Sequence, residues 1–437
     1  MPADIVLGCP TDRSVEYVVH PKIDGKISVL LSGQSQGRTV RVMQGVPVRG
    51  KFEGLAPDRD YTYRLEYKPD SGASVASPDF RFHTQRKPGS SFSFIVQGDS
   101  HPERTPKMHD PSVYESSMLM AESQKPDFFI CLGDDFSVDT LKEFTRGSVE
   151  SVYRRQVPCL GLIGRSAPVY LVNGNHEQAA KANLNGTADS LGVWAQTTRN
   201  NFFAQPAPDN FYSGDREQVD HIGLLRDYYS WSWGDAQFIV IDPYWHSNVA
   251  VDNPAGKGPK EGGKRGRDLW QVTLGDDQYH WLRDTLSRST KPHKFVFAHH
   301  VLGTGRGGVE LAGLYEWGGQ SGNGTNDFAS QRPGWNLPIH QLFVKYGVTA
   351  FFQGHDHIFC RQELDGVIYQ SCPCPSSAED SLYNDTAYRS GDKVAGNGLV
   401  QVQVNSGNVS VKLIRPVPGS LKPKELFSYA IPKKESS

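Results

Sequence analysis

The sequence predicts an α/β layered domain preceded by a small all-β sandwich. Three features carry that prediction. Up to about residue 87, short runs alternate apolar and polar residues; from residue 92 the runs are apolar throughout; and five of the later runs end directly in Asp, His or Asn. Alternation marks strands with one face in a core. Continuous apolar strands belong to sheets covered on both faces.

Residues 1–87 read as the sandwich. KISVLLSG, TVRVMQG, YTYRLEYKPDSG and FRFHT are strand-like runs divided by turn residues. The stretch from Leu55 to Tyr63 resembles the corner of a fibronectin type III or immunoglobulin-like sandwich, where a tyrosine hydroxyl bonds back to the backbone. A plain β-hairpin is the simpler alternative. Residues 84–90, TQRKPGS, read as a linker.

Residues 92–415 form the layered domain. FSFIV, DFFICL, PVYLV, FIVID, KFVFA and TAFF are its buried strands, and VYESSMLMAESQ and DDQYHWLRDTLS have helical spacing. The end is more antiparallel, with turns expected at Asp365-Gly366 and around Asn405–Asn408. Asn253–Arg267 and Gly303–Gly334 read as glycine-rich surface loops, and residues 416–437 as a peripheral C-terminal tail. There is no internal repeat.

Composition excludes several classes. The chain has 437 residues, more than one core usually organises. Its formal charge of −2, without a dense Lys/Arg block, offers no strong nucleic-acid signature. No apolar run is long enough for a membrane span. The N-terminal MPADIVLGCP lacks the basic and apolar pattern of a signal peptide. The six cysteines permit disulfides without requiring them. Cys131 reads as a buried thiol, and Cys372-Pro-Cys374 is too sparse for a zinc knuckle.

The chemistry lies where the apolar runs stop. FSFIVQ leads into Gly98-Asp99-Ser100-His101, FFICL into Gly133-Asp134-Asp135, and VYLVN into Gly174-Asn175-His176-Glu177. KFVFA leads into His299-His300, and TAFFQ into Gly354-His355-Asp356-His357. Ligands of α/β sheets bind beyond the carboxyl ends of the strands, so these five clusters should converge. The glycines should let the chain turn off each strand. A D-x-H or H-x-H pair on extended backbone points both side chains to one face. Imidazole and carboxylate together suit Zn, Fe or Mn, and one shared carboxylate can hold two ions roughly 3.5–4 Å apart. Any one of these residues has an ordinary reading, as a hydrogen-bonded histidine or a helix-capping aspartate. Six of the 14 histidines in such positions make that reading untenable for the set.

The ordered motifs G-D-x-H, G-D, G-N-H-E, H and G-H-x-H across residues 98–357 resemble the calcineurin-like metallophosphoesterase superfamily. With the N-terminal sandwich, the layout is similar to purple acid phosphatase-like proteins. The resemblance implies two sheets flanked by helices and a dinuclear site. Asp99, His101, Asp134 and His357 would bind one ion; Asp134 would bridge to a second, completed by Asn175, His299 and His355. His299 is favoured over His300. His176 would assist the leaving group, as an imidazole can near neutrality.

The departures are equally specific. Purple acid phosphatases carry a tyrosine where Ser137 stands here, and His101 fills a slot as in the non-purple branches. Phosphoprotein phosphatases pair their histidine with an Asp at the Ser137 position, followed by a phosphate-gripping Arg; here Val138 follows. Glu177, Asp135 and Asp139 are therefore the candidates for orienting His176. Arg306 and Arg332 are the candidates for gripping phosphate, and Tyr315 and Trp317 for walling the pocket.

The expected function is hydrolysis of small phosphate mono- or diesters, with two divalent or trivalent ions (Fe, Zn or Mn) activating hydroxide. The alternatives are a cell-surface or polymer-binding protein with a vestigial site, and a metallohydrolase of a non-phosphate ester. Analogy with sandwich-bearing relatives favours a secreted or periplasmic location. Oligomeric state is not legible.

Overall fold

The computed structural model describes residues 1–33, 39–252, 268–301 and 305–432. The expected loop Asn253–Arg267 lies outside the described residues.

The N-terminal strands form two small antiparallel sheets. Ala3–Gly8, Val15–Pro21 and Val48–Phe52 make one; Gly25–Leu31, Thr39–Val42, Asp60–Pro69, Val75–Ala76 and Phe80–His83 make the other. Along Asp60–Pro69 the alternation is plain, with Tyr63, Leu65 and Tyr67 buried between exposed neighbours. They meet Ile5, Val15, Val19, Ile27 and Phe82 in one core. The Tyr61 hydroxyl accepts a hydrogen bond from the Ala56 N–H at 2.7 Å, closing the expected corner. The Tyr63 hydroxyl instead donates to the Arg165 carbonyl at 2.7 Å, tying these sheets to the larger part of the chain.

Beyond residue 92 two larger sheets face each other. The six-stranded sheet runs in the order Val169–Leu171, Phe128–Cys131, Phe92–Gln97, Leu399–Val404, Asn408–Val417 and Ser420–Pro432. Its first three strands are parallel and the rest antiparallel. The eight-stranded sheet is centred on Ala236–Val240, His293–Phe297, Ala350–Gln353 and Val367–Ser371, all parallel. Aromatic side chains from both sheets fill the space between them; Phe94, for example, meets Phe238 edge-on at 5.1 Å.

Helices cover the outer faces, which is why the strands are apolar on both sides. Pro111–Ser123, Arg146–Gly164 and Leu191–Phe202 pack on the first sheet. Gly275–Arg288 and Ile339–Lys345 pack on the second. Asp110 starts the first helix by accepting from Ser112 N at 2.8 Å, with Pro111 at the first helical position.

Two expectations need correction. The expected peripheral tail is not without regular structure through residue 432: Ser420–Pro432 pairs along Asn408–Val417 as a largely exposed edge strand, and Ile431 enters the intersheet core. The segment 305–334 is not plain loop. It carries short helices at Tyr315–Gly318 and Phe328–Gln331, and it buries Trp317. No helix among the described residues is long and apolar enough to cross a membrane.

Candidate metal centre

Five strand ends from the two sheets open on one side of the molecule, and the loops that follow bring all seven predicted ligand side chains together. Asp134 Oδ2 lies 3.1 Å from His299 Nε2 and 3.8 Å from His101 Nε2. Asp99 Oδ2 lies 2.9 Å from His357 Nε2 and 3.5 Å from His101 Nε2. His299 Nε2 is also 2.9 Å from Asn175 Oδ1 and 3.3 Å from His355 Nδ1. Two groups result, His101, Asp99 and His357 on one side and His299, Asn175 and His355 on the other, with Asp134 between them.

Hydrogen bonding prepares these groups for cations. His101 Nδ1 is 2.8 Å from Glu103 Oε1, and His299 Nδ1 is 2.8 Å from the Leu132 carbonyl. Each ring thus engages its Nδ1–H outward and directs Nε2 inward, the nitrogen a metal would take after displacing any proton there. His101 Nε2 then faces His357 Nε2 at 3.0 Å. Asp99 Oδ2 is buried and has no hydrogen-bond donor among the described residues, although two imidazoles lie close by. Lone pairs crowded in this way are satisfied by a cation, so the donor set fits two transition ions. Burial would lower His101 and His299, but Asp99 with Glu103 raises the first to about 9, and Asp134 with Asp99 raises the second to about 10. Cations binding here would displace those protons.

The backbone achieves the convergence differently from expectation. The ligand segments are not extended: His101 (φ 42°), Asp134 (φ 58°), His355 (φ 64°) and His357 (φ 56°) are all left-handed. Each such residue costs on the order of 1–3 kcal/mol, and such strain concentrates at functional sites. Of the glycines before the clusters, Gly133 does turn with positive φ (97°). Gly354 serves through lack of bulk, since a Cβ there would stand 2.4 Å from Asp99 Oδ1.

Residues 92–359, more than half of the chain, match the family described as calcineurin-like phosphoesterase. The chain belongs to this family. Probable inactive purple acid phosphatase 24 of Arabidopsis thaliana is 21% identical over 349 residues, covering 77% of this chain and 45% of that protein. The chain therefore spans less than half the length of the curated relative it matches. Among solved structures, purple acid phosphatase PPD1 from yellow lupin (Lupinus luteus) seeds superposes with a TM-score of 0.61 at 16% identity, over 99% of this chain and 74% of that one. PhoD superposes with a TM-score of 0.63 at 14% identity, over 98% and 90%. These likenesses establish the phosphoesterase fold, with its two sheets, flanking helices and preceding β domain.

His176 stands at the mouth of the centre, with Nε2 3.7 Å from Asp134 Oδ2. Its Nδ1 lies 2.8 Å from Asp139 Oδ1. Of the three acids that could orient it, Asp139 is the one in contact. Asp135 instead accepts from Gln97 Nε2 and Ser100 Oγ, at 2.7 and 2.5 Å. Glu177 serves the backbone: one oxygen accepts from Asp134 N and Gly174 N, the other from Asp135 N and Phe136 N, at 2.7–3.1 Å. That clamp fixes two ligand loops to each other. Glu177→Gln would set an NH₂ group against two of these donors, at about 1–3 kcal/mol for each N–H left unpaired. A lower denaturation midpoint and a lower metal content are expected; an unchanged midpoint would contradict the clamp.

The arginine candidates are engaged elsewhere. Arg332 pairs with Glu316 and lies against Trp270 and Trp335, so its role there is packing. Arg306 Nη1 donates to the His355 carbonyl at 2.6 Å and to Asp356 Oδ1 at 3.1 Å, bracing the ligand loop. Trp317 is core, donating to the Tyr369 hydroxyl at 2.9 Å, and Tyr315 stands against Trp270. Together with His300, Tyr315 lines a small cavity of about 20 Å³.

Two residues at the mouth escape sequence reasoning. Arg104 Nη2 is 3.0 Å from His176 Nε2, and the Tyr383 ring meets His357 edge-on at 6.1 Å. The signal for Arg104 is its position three residues after His101, just beyond the end of the first motif.

Proposed function

We propose that this chain is a dinuclear metal-dependent hydrolase of phosphate esters. The observation that carries the proposal is the position of Asp134 between two groups of inward-facing imidazole, carboxylate and amide side chains. In this reading Asp99, His101, Asp134 and His357 hold one ion and Asp134, Asn175, His299 and His355 the other. Two bound cations supply Lewis acidity toward the phosphoryl oxygens and an activated water. The chain's own groups do the rest. His176, its Nδ1–H held by Asp139, would give its Nε2 proton to the leaving oxygen as the imidazolium, formed once Arg104, now facing Nε2 at 3.0 Å, turns to the phosphoryl group and water protonates the freed nitrogen. Arg104 offers guanidinium N–H groups to the non-bridging oxygens, the grip that the sequence alone assigns to Arg306 or Arg332. Tyr383 forms part of the pocket wall.

A vestigial site is the weaker reading. Decay removes ligands and relaxes strained backbone, whereas all seven side chains remain and four positions keep positive φ. The location we propose, secreted or periplasmic, rests on analogy with relatives alone.

Rates for a phosphomonoester, a phosphodiester and a phosphonate ester, measured with elemental analysis of the same sample, test the proposal. Turnover of at least one ester by metal-loaded protein is expected; no turnover of any would overturn it. Arg104→Ala should lower kcat/KM for a dianionic monoester about 10–100-fold, the equivalent of one charge-assisted hydrogen bond. A monoanionic diester should lose less. Equal losses would show that Arg104 supports His176 without meeting the phosphoryl group.

A further inference from the structure

Asp215, Asp227 and His246 form a separate convergence of ligand-type side chains, outside the seven residues above. Strand pairing builds it. Ser213–Gly214 pairs antiparallel with Tyr229–Trp233, and Asp215 N donates to the Tyr228 carbonyl at 3.1 Å, which sets Asp215 beside Asp227. His246 comes from the segment after Ala236–Val240, the next strand of the same sheet. One ligand atom from each of the three lies within 4.8 Å of the others.

The cluster is buried and short of donors. Asp227 is 0% exposed and Asp215 3%. His246 Nε2 approaches Asp227 Oδ2 at 2.9 Å, and Asp215 accepts from Glu217 N at 2.8 Å. Asp227 Oδ1 and Asp215 Oδ2 are left buried with no hydrogen-bond donor among the described residues. The adjacent Asp242 accepts from Tyr244 N, Trp245 N and Asn173 Nδ2. Unpaired buried carboxylate oxygens are costly, which favours a group that meets them.

A proton or a cation could do so. Burial, and then the Asp227 carboxylate, push the Asp215 carboxyl up to about 7. A proton shared between the two carboxyls is the competing arrangement, which the test below distinguishes from a cation. We propose that Asp215, Asp227 and His246 bind a divalent transition cation, Mn²⁺ or Zn²⁺, at a site distinct from the phosphoesterase centre. Two carboxylates and an imidazole are ordinary ligands for these ions. The ion pins the excursion between residues 215 and 227 to the sheet. Asp242, next to the cluster, holds Asn173, two residues before Asn175.

Anomalous diffraction from wild-type crystals soaked in MnCl₂ or ZnCl₂ tests this directly. A peak bounded by Asp215, Asp227 and His246 is expected, with ligand distances of about 2.0–2.2 Å for zinc. No peak there, while the Asp134 site is filled, would overturn the proposal in favour of a shared proton. In solution, Asp215→Asn and Asp227→Asn should each lose one metal equivalent per chain and keep ester hydrolysis. Unchanged stoichiometry in a folded variant would count against the site. Should either variant fail to fold, the wild-type crystals still decide the matter.

Discussion

Asp134→Ala should lower phosphate-ester hydrolysis by roughly 10³-fold or more, because several kcal/mol of transition-state stabilisation would depend on the ions we propose it holds. The side chain has two jobs. Oδ2 is the oxygen common to the His299 and His101 groups, at 3.1 and 3.8 Å. Oδ1 accepts from the His176 backbone N–H at 2.9 Å, so the same carboxylate also seats the loop that carries His176. Alanine removes both. The fold should persist, since the intersheet core is built from strand residues such as Phe128 and Ile130 and not from the strand-end acid. Steady-state rates, paired with circular dichroism of the same sample, check this. A folded variant with wild-type turnover would exclude Asp134 from the chemistry.

His176→Ala is expected to cost about 10²–10⁴-fold, the range of a positioned general acid. The loss should depend on the leaving group. An alkyl phosphate, whose alkoxide needs the proton, should suffer the full effect; a nitrophenyl phosphate, whose phenolate leaves unaided, should suffer much less. Asp139→Asn should follow the same dependence with a smaller loss, since it removes only the group that orients Nδ1. A uniform loss across leaving groups would mean that His176 shapes the site and transfers no proton.

What the sequence shows and what it hides have physical causes. Buried strands write themselves as apolar runs, so FSFIV, DFFICL and KFVFA are readable, and so are the polar residues where each run ends. The helix Arg146–Gly164 is not, because Pro158 and three glycines interrupt its pattern; packing against the Phe129 face of the sheet, and the Thr145 cap, hold it. Ligand convergence is legible, but its mechanism is not. Strand alternation is the natural expectation for D-x-H and H-x-H, whereas left-handed backbone at His101, His355 and His357 does the aiming. The partner of His176 is reachable only as a choice among three acids. Three-dimensional contact selects Asp139, because Glu177 is occupied by four backbone N–H groups and Asp135 by Gln97 and Ser100. Arg306 and Arg332 lie in the right loop for phosphate, yet long side chains find partners that sequence distance does not reveal. The edge strand Ser420–Pro432 is hidden by its lysines, which suit an exposed sheet edge as well as a tail.

Titration of metal-depleted protein with Mn²⁺ or Zn²⁺, while phosphate-ester hydrolysis is followed, tests the central claim most directly. Hydrolysis should appear as cation binds, reach a plateau at full loading, and vanish on chelation. Fully loaded protein that hydrolyses neither mono- nor diesters would contradict the account.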